Sequence, residues 1–436
     1  MQREEENETA AGAGRKQPAT PPGDPRLWRP GTRALTTGLV LTVVFTAFEA
    51  LAVATILPKV VEDIGGLSLY GWAFSAFMLA NLVGILAAGR AADRHAPTPV
   101  FLLGTGIFAA GLVAAGAAPT MSWVVVARAF QGLGAGAIST ISYLAVGRGY
   151  SAAARPRMIA ALSSAWVVPG LVGPALAGWI ADTAGWRWVF HLLAPAALLG
   201  AALAVPGLRR IAPSATDDSA VAGAAATSAP PAPAGLYPSL FTLLLIGFVF
   251  FGAEVFIPLA LIDLRGLSAT QAGLPLTIGS LLWTAGAWVQ AREAPRRHLG
   301  NLVASGLLLI VLGIGVSSLI LDMRWPAWSV GPGWAIASLG MGIAYSTAAL
   351  AVLECIPAGR EGSHSSWLAL AVNLGTAIGT ALAGAIVAWG DARDVPLARA
   401  LMGVNLLMAI VGLAAVASSR RMPARSSKAG SPESAR

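Results

Sequence analysis

At 436 residues the chain is 56% hydrophobic and only 11% charged, with a mean hydropathy of +0.69. Soluble domains carry about 25% charged residues, so the composition excludes an ordinary water-soluble fold and places the chain in the membrane class. The net charge of +8 does not mark a nucleic-acid binder, because the excess falls in loops on one side of a membrane, and the one cysteine, Cys355, excludes an internal disulfide and a cysteine-based zinc cluster.

In chain order, residues 1–33 are polar, begin with an acidic run at Glu4, Glu5 and Glu6, and hold several prolines. They read as a disordered cytoplasmic tail, with no removable signal peptide. Twelve apolar stretches of bilayer-crossing length follow: 34–57, 70–92, 98–117, 121–146, 156–182, 186–206, 238–262, 269–290, 299–321, 327–354, 364–389 and 397–418. Between the sixth and seventh, residues 207–236 turn small, polar and Pro-rich, the composition of a flexible linker. The expected fold is an all-α membrane protein with twelve transmembrane helices in two six-helix bundles, 34–206 and 237–419. The linker and a short tail at 420–436 are expected in the cytoplasm.

Loop arginines and lysines set the orientation. With the N-terminus in the cytoplasm, 22 of the 29 lie in inside segments and six outside. The expected topology is multi-pass in the cell (inner) membrane, both termini cytoplasmic. An internal repeat is also visible. A shift of 200 residues brings Pro58 onto Pro258, Asp63 onto Asp263, Gly66-Leu67-Ser68 onto Gly266-Leu267-Ser268, and Gly106 onto Gly306. Parallel halves related in this way place a substrate site at their interface.

Three motifs carry a family resemblance. Gly89-Arg90-Ala91-Ala92-Asp93-Arg94 follows span 2, Arg128-Ala129-Phe130-Gln131-Gly132-Leu133-Gly134 lies in span 4, and Pro169-Gly170-Leu171-Val172-Gly173-Pro174-Ala175-Leu176-Ala177-Gly178 lies in span 5. Over residues 34–418 the chain resembles the major facilitator superfamily, and within it the drug:proton antiporters. The resemblance implies that Gly89, Asp93 and Arg94 help lock the cytoplasmic side, although Ala96, Pro97 and Thr98 stand where a glycine and two basic residues are usual. It implies proton coupling through Arg128, and an antiporter signature in Gly170, Gly173, Pro174 and Gly178, with Ala177 replacing a closing glycine. Glu49, nine residues before Pro58, resembles an acidic position of the family's 14-helix branch, as does Trp186-Arg187-Trp188-Val189-Phe190 before span 6. Bland alternatives stand beside each motif: a solvated loop, a snorkelling arginine and a packing kink.

Charges inside membrane helices cost at least about 2.5–3.5 kcal/mol on insertion scales. Glu49, Arg128 and Glu254 stand out, each about 7 or 8 residues from the outer end of its expected span. Burial favours the neutral carboxyl and a nearby arginine the charged one. Glu49 with Arg128 is therefore the expected proton site, and Glu254 serves a cationic substrate, a second proton or a helix–helix hydrogen bond. Gln131, Asn81 and Asn373 are embedded polar residues that line a substrate cavity or act as helix glue. His95, His191, His298 and His364 have no metal-site spacing. No lysine follows a glycine, so no phosphate loop powers the chain with ATP. The expectation is a non-enzymatic secondary transporter with no cofactor. It works as a monomer in the lipid bilayer and moves drugs or amphiphilic metabolites outward against protons. An uptake symporter or facilitator of the same fold, and a non-transporting receptor or scaffold, are the rival readings.

Overall fold

The computed structural model describes residues 27–28, 32–151, 154–211, 235–294, 296–355 and 361–422. The expected tail 1–33, linker 207–236 and tail 420–436 lie largely outside them, as does the side chain of His364. Among the described residues twelve helices are long and apolar enough to cross a membrane, so the chain is a multi-pass membrane protein. In order they are α1 (Arg33–Ile64), α2 (Leu67–Arg94), α3 (Pro97–Gly116), α4 (Met121–Gly149), α5 (Arg157–Thr183), α6 (Trp186–Leu208), α7 (Leu236–Leu264), α8 (Ala269–Glu293), α9 (Leu299–Leu321), α10 (Ala327–Glu354), α11 (Trp367–Asp391) and α12 (Leu397–Ser419).

Each expected stretch has its helix, and the differences at the ends have local causes. Hydropathy ends span 1 at residue 57, before Lys59, but α1 runs on to Ile64 with Pro58 inside it. Polar residues stop a hydrophobic count without stopping a helix. The segment Gly89–Arg94 forms the last turns of α2, and only His95 and Ala96 separate it from α3, whose first residue is proline. Two spans are broken. In α5 the helix parts at Ala165–Trp166, four residues before Pro169. In α7 it parts at Val255–Phe256, just after Glu254, which stands four residues before Pro258. In both cases the proline has no N–H to return to the carbonyl four residues back. The antiporter-like segment Pro169–Gly178 therefore lies just past the break, within the continuous helix Val167–Thr183.

The packing repeats. In the first half α2 and α3 pack on α4, and α1 packs on α5 and α6; in the second α8 and α9 pack on α10, and α7 packs on α11 and α12. Close approaches repeat too. A Cβ on Gly134 of α4 would stand 2.5 Å from the Gly104 carbonyl of α3, and one on Gly340 of α10 would stand 2.5 Å from the Gly306 carbonyl of α9. Gly306 thus has its counterpart in Gly104; Gly106, paired with it by the sequence shift, has nothing within 4 Å. The Gly66/Gly266 match is structural. Both have positive φ, +85° and +65°, in the turns that follow α1 and α7, a conformation that costs glycine little.

The halves meet along two seams, α5 with α8 and α2 with α11. The start of α1 and the end of α12 lie on one face of the bundle, here called the termini face; the α1–α2 turn lies on the other, the far face. Toward the far face α1 is buried all round from Ala52 to Pro58, and α7 from Val255 to Ile262. Toward the termini face the packing loosens: Val43, Val44, Phe45 and Thr46 of α1 are all part-exposed, and Tyr143 of α4 is 55% exposed.

Candidate functional site

Helix α4 carries Arg128 two turns in from the far face, where it is only 2% exposed. Its Nη1 donates to Glu49 Oε1 of α1, in an ion pair, and to Gln131 Oε1 at 2.6 Å. Its Nε donates to the Ala73 carbonyl of α2 at 3.1 Å, and the guanidinium lies 4.2 Å from the centroid of the Phe77 ring. Gln131, one turn along α4, uses its Nε2 to reach the Gly111 carbonyl of α3 at 3.0 Å. One arginine thus ties α1, α2 and α4 together, and Gln131 adds α3.

Glu49 is fully buried, and its second oxygen, Oε2, has no hydrogen-bond partner among the described residues. A buried charged pair holds together only when the geometry is good, and an unsatisfied buried oxygen adds to the cost.

The other predicted residues are distributed differently. Glu254 is partly exposed at the break in α7, with no hydrogen bond or ion pair among the described residues. The structure pairs Glu49 with Arg128 and leaves Glu254 a separate carboxyl. One turn before Glu254, Phe251 begins an aromatic row that runs to Trp283 of α8 (6.1 Å between ring centroids) and on to Tyr345 of α10 (5.8 Å). Gln131, expected at a cavity wall, is fully buried with both ends of its amide bonded. Asn81 and Asn373 meet across the α2–α11 seam, Asn373 Nδ2 donating to Asn81 Oδ1 at 2.9 Å.

The motif residues divide by face. At the termini-face end of α2, Asp93 and Arg94 are exposed, and a Cβ on Gly89 would meet nothing within 4 Å. In α5, by contrast, Gly170, Gly173, Pro174 and Gly178 are all buried. A Cβ on Gly178 would lie 2.5 Å from the Ala269 carbonyl of α8, and one on Gly273 of α8 would lie 2.7 Å from the Pro174 carbonyl. Gly170 faces Ser280 of α8, and Gly173 faces Phe48 of α1. The motif is the surface on which α8 lies.

Sequence reasoning missed the residues that close the far side. Asp182, at the end of α5, accepts from the Ala269 and Thr270 backbone N–H groups (3.1 and 2.9 Å) and from the Thr270 hydroxyl (2.7 Å), so a carboxylate sits on the N-terminus of α8. Ser75 of α2 donates to the Ala377 carbonyl at 3.0 Å and lies 2.8 Å from the Thr380 hydroxyl of α11. The Tyr70 hydroxyl of α2 donates to the Val255 carbonyl of α7 at 2.8 Å. A hydroxyl in an apolar helix gives no sequence signal of its own. Asp182 gave a weak one, as an acid at the last residue of its span.

Comparisons with known proteins bear on the family and the fold. The family description "Major Facilitator Superfamily" matches residues 39–369. The multidrug transporter protein MdtP of Bacillus subtilis is 29% identical over 175 residues, 40% of this chain and 32% of that protein. The chain thus spans about a third of the length of the first curated relatives it matches. A probable multidrug-efflux transporter of Mycobacterium tuberculosis matches at 25% identity over 88% of this chain and 94% of its own. A crystal structure of a D-xylose-proton symporter superposes with a TM-score of 0.70 at 14% identity, over 89% of this chain and 98% of that one, a likeness of fold. Twelve membrane helices, two repeated halves and a family match across both of them lead to one conclusion: the chain belongs to the Major Facilitator Superfamily.

Proposed function

We propose that this transporter exports drugs or small amphiphilic metabolites in exchange for protons. It would act as a monomer in the cell membrane with both termini in the cytoplasm. The observation that carries the reading is the buried Glu49–Arg128 pair with Glu49 Oε2 unpartnered. A proton arriving at Oε2 neutralises the carboxylate and weakens its hold on Arg128, which still has Gln131 and the Ala73 carbonyl. Protonation is thereby converted into a change in how α1 and α4 are joined. Glu254, unpaired beside the aromatic row, takes the cationic part of a cargo molecule or a second proton. Asn81 and Asn373 offer hydrogen bonds to cargo once their mutual bond parts. The proton gradient supplies the energy, with no cofactor.

The outward direction is supported by the α5 motif and by relatives named for multidrug transport and efflux. The arginine bias supports a cytoplasmic termini face, which makes the tight far face external and the looser face the cargo entrance. The test is dye movement in inverted membrane vesicles with the lumen made acidic. Exchange drives dye into the lumen as protons leave. A symporter moves dye out with the protons, and that result overturns the assignment of direction.

A further inference from the structure

Tyr70 stands at the start of α2 in the first half, yet its hydroxyl serves the second. It is fully buried, its ring 5.8 Å from Phe74 and 5.2 Å from Phe256 of α7, and its hydroxyl donates to the Val255 carbonyl at 2.8 Å. Val255 is the residue at which α7 breaks, directly after Glu254. The helical bonding there is already poor. Pro258 has no N–H for the Glu254 carbonyl, the Val255 N–H reaches the Phe251 carbonyl only at 3.5 Å, and the Phe256 N–H turns back three residues to Ala253 at 3.2 Å. The Ala260 N–H then bonds the Phe256 carbonyl at 3.0 Å, and the segment continues as a π-helix over Ala260–Leu264. A buried carbonyl needs a donor, and at this break part of the supply comes from across the interface between halves.

The internal repeat gives this contact a counterpart. Shifted by 200 residues, Tyr70 falls on Thr270, which occupies the first turn of α8 and bonds across to Asp182 of α5. The two repeat-related positions each fasten one half to the other at the far face. Only Tyr70 fastens it to the break in the helix that carries Glu254.

We propose that Tyr70 is a positioning residue of the transport cycle: it pins the broken segment of α7 while the far side is closed and releases it when the far side opens. The role rests on the reading of this chain as an alternating transporter, with Glu254 beside the cargo. Because the bond joins the halves, it exists only in the far-closed arrangement and favours that arrangement over its alternative.

Tyr70→Phe removes the hydroxyl and keeps the stacked ring. The test uses the full chain in lipid nanodiscs with Cys355→Ser as background, and a hydrophilic maleimide. Two reporters are made separately. Thr55→Cys lies fully buried on α1 against Gly273 of α8 at the far side, and Tyr143→Cys lies half-exposed on the termini side. With Tyr70→Phe, labelling at position 55 is expected to rise about tenfold, the equivalent of one unsatisfied buried carbonyl, while labelling at position 143 falls. General loosening raises both, and that outcome, or no change at either site, overturns the proposal. The result does not depend on cargo: the labels move reciprocally even if Glu254→Gln leaves export intact, and that second result bears on the role of Glu254 alone.

Discussion

Arg128 is held by three acceptors and an aromatic face, and Glu49 by a single donor. The asymmetry fixes what each substitution does. Arg128→Met leaves a buried carboxylate with no counter-charge, and loss of one partner of a buried pair costs about 3–5 kcal/mol. Glu49→Gln keeps an acceptor for Arg128 and is expected to cost less. The Glu49→Gln/Arg128→Met double variant is expected to be more stable than Arg128→Met alone, because no unpaired charge remains. Thermal unfolding of the four proteins in one detergent checks the order; a double variant less stable than both singles contradicts it. These two residues were legible in the sequence because charge in an apolar span is conspicuous. That they touch was foreseen, but Gln131 as their partner was not, since an embedded amide looks the same whether it faces cargo or a neighbouring helix. Tyr70 and Ser75 gave no signal, because an aromatic or hydroxyl residue in a membrane helix meets no unusual cost.

At the scale of elements, prolines and glycines do most of the shaping. The break in α7 follows from Pro258, so Pro258→Ala is expected to give the Glu254 carbonyl its helical donor and mend the helix. A gained bond of about 1 kcal/mol corresponds to roughly fivefold slower hydrogen exchange across Val255–Phe256. Transport is expected to fall at the same time, as the segment loses its hinge. Unchanged exchange there assigns the break to something other than the proline. On α5, Gly178→Val is expected to push α8 away, because even a Cβ stands 2.5 Å from the Ala269 carbonyl. Overpacking of this kind costs about 1–3 kcal/mol, and faster maleimide labelling at Thr55→Cys is the readout. The sequence marked this segment as a signature, and its glycines also told that something packs closely there. Which helix it was depended on tertiary packing that spacing does not encode.

At the scale of the molecule, twelve spans and two parallel halves were readable from hydropathy and a 200-residue repeat. Which face is closed was not, because both arrangements use one sequence. The structure is tight at the far face, where Asp182 holds the N-terminus of α8. A carboxylate at a helix N-terminus contributes about 0.3–1 kcal/mol, so Asp182→Asn is expected to raise far-side labelling only a few-fold, and less at high salt because Asp182 is exposed. A salt-independent effect contradicts a charge-based latch.

The central claim is that protonation of Glu49 is what couples the gradient to cargo. Glu49→Gln, reconstituted in proteoliposomes and supplied with a transported dye, tests it most directly. The variant is expected to bind and equilibrate dye down its own gradient while an imposed pH difference no longer drives accumulation. Accumulation at the parental level under the same pH difference places the proton elsewhere and contradicts the account.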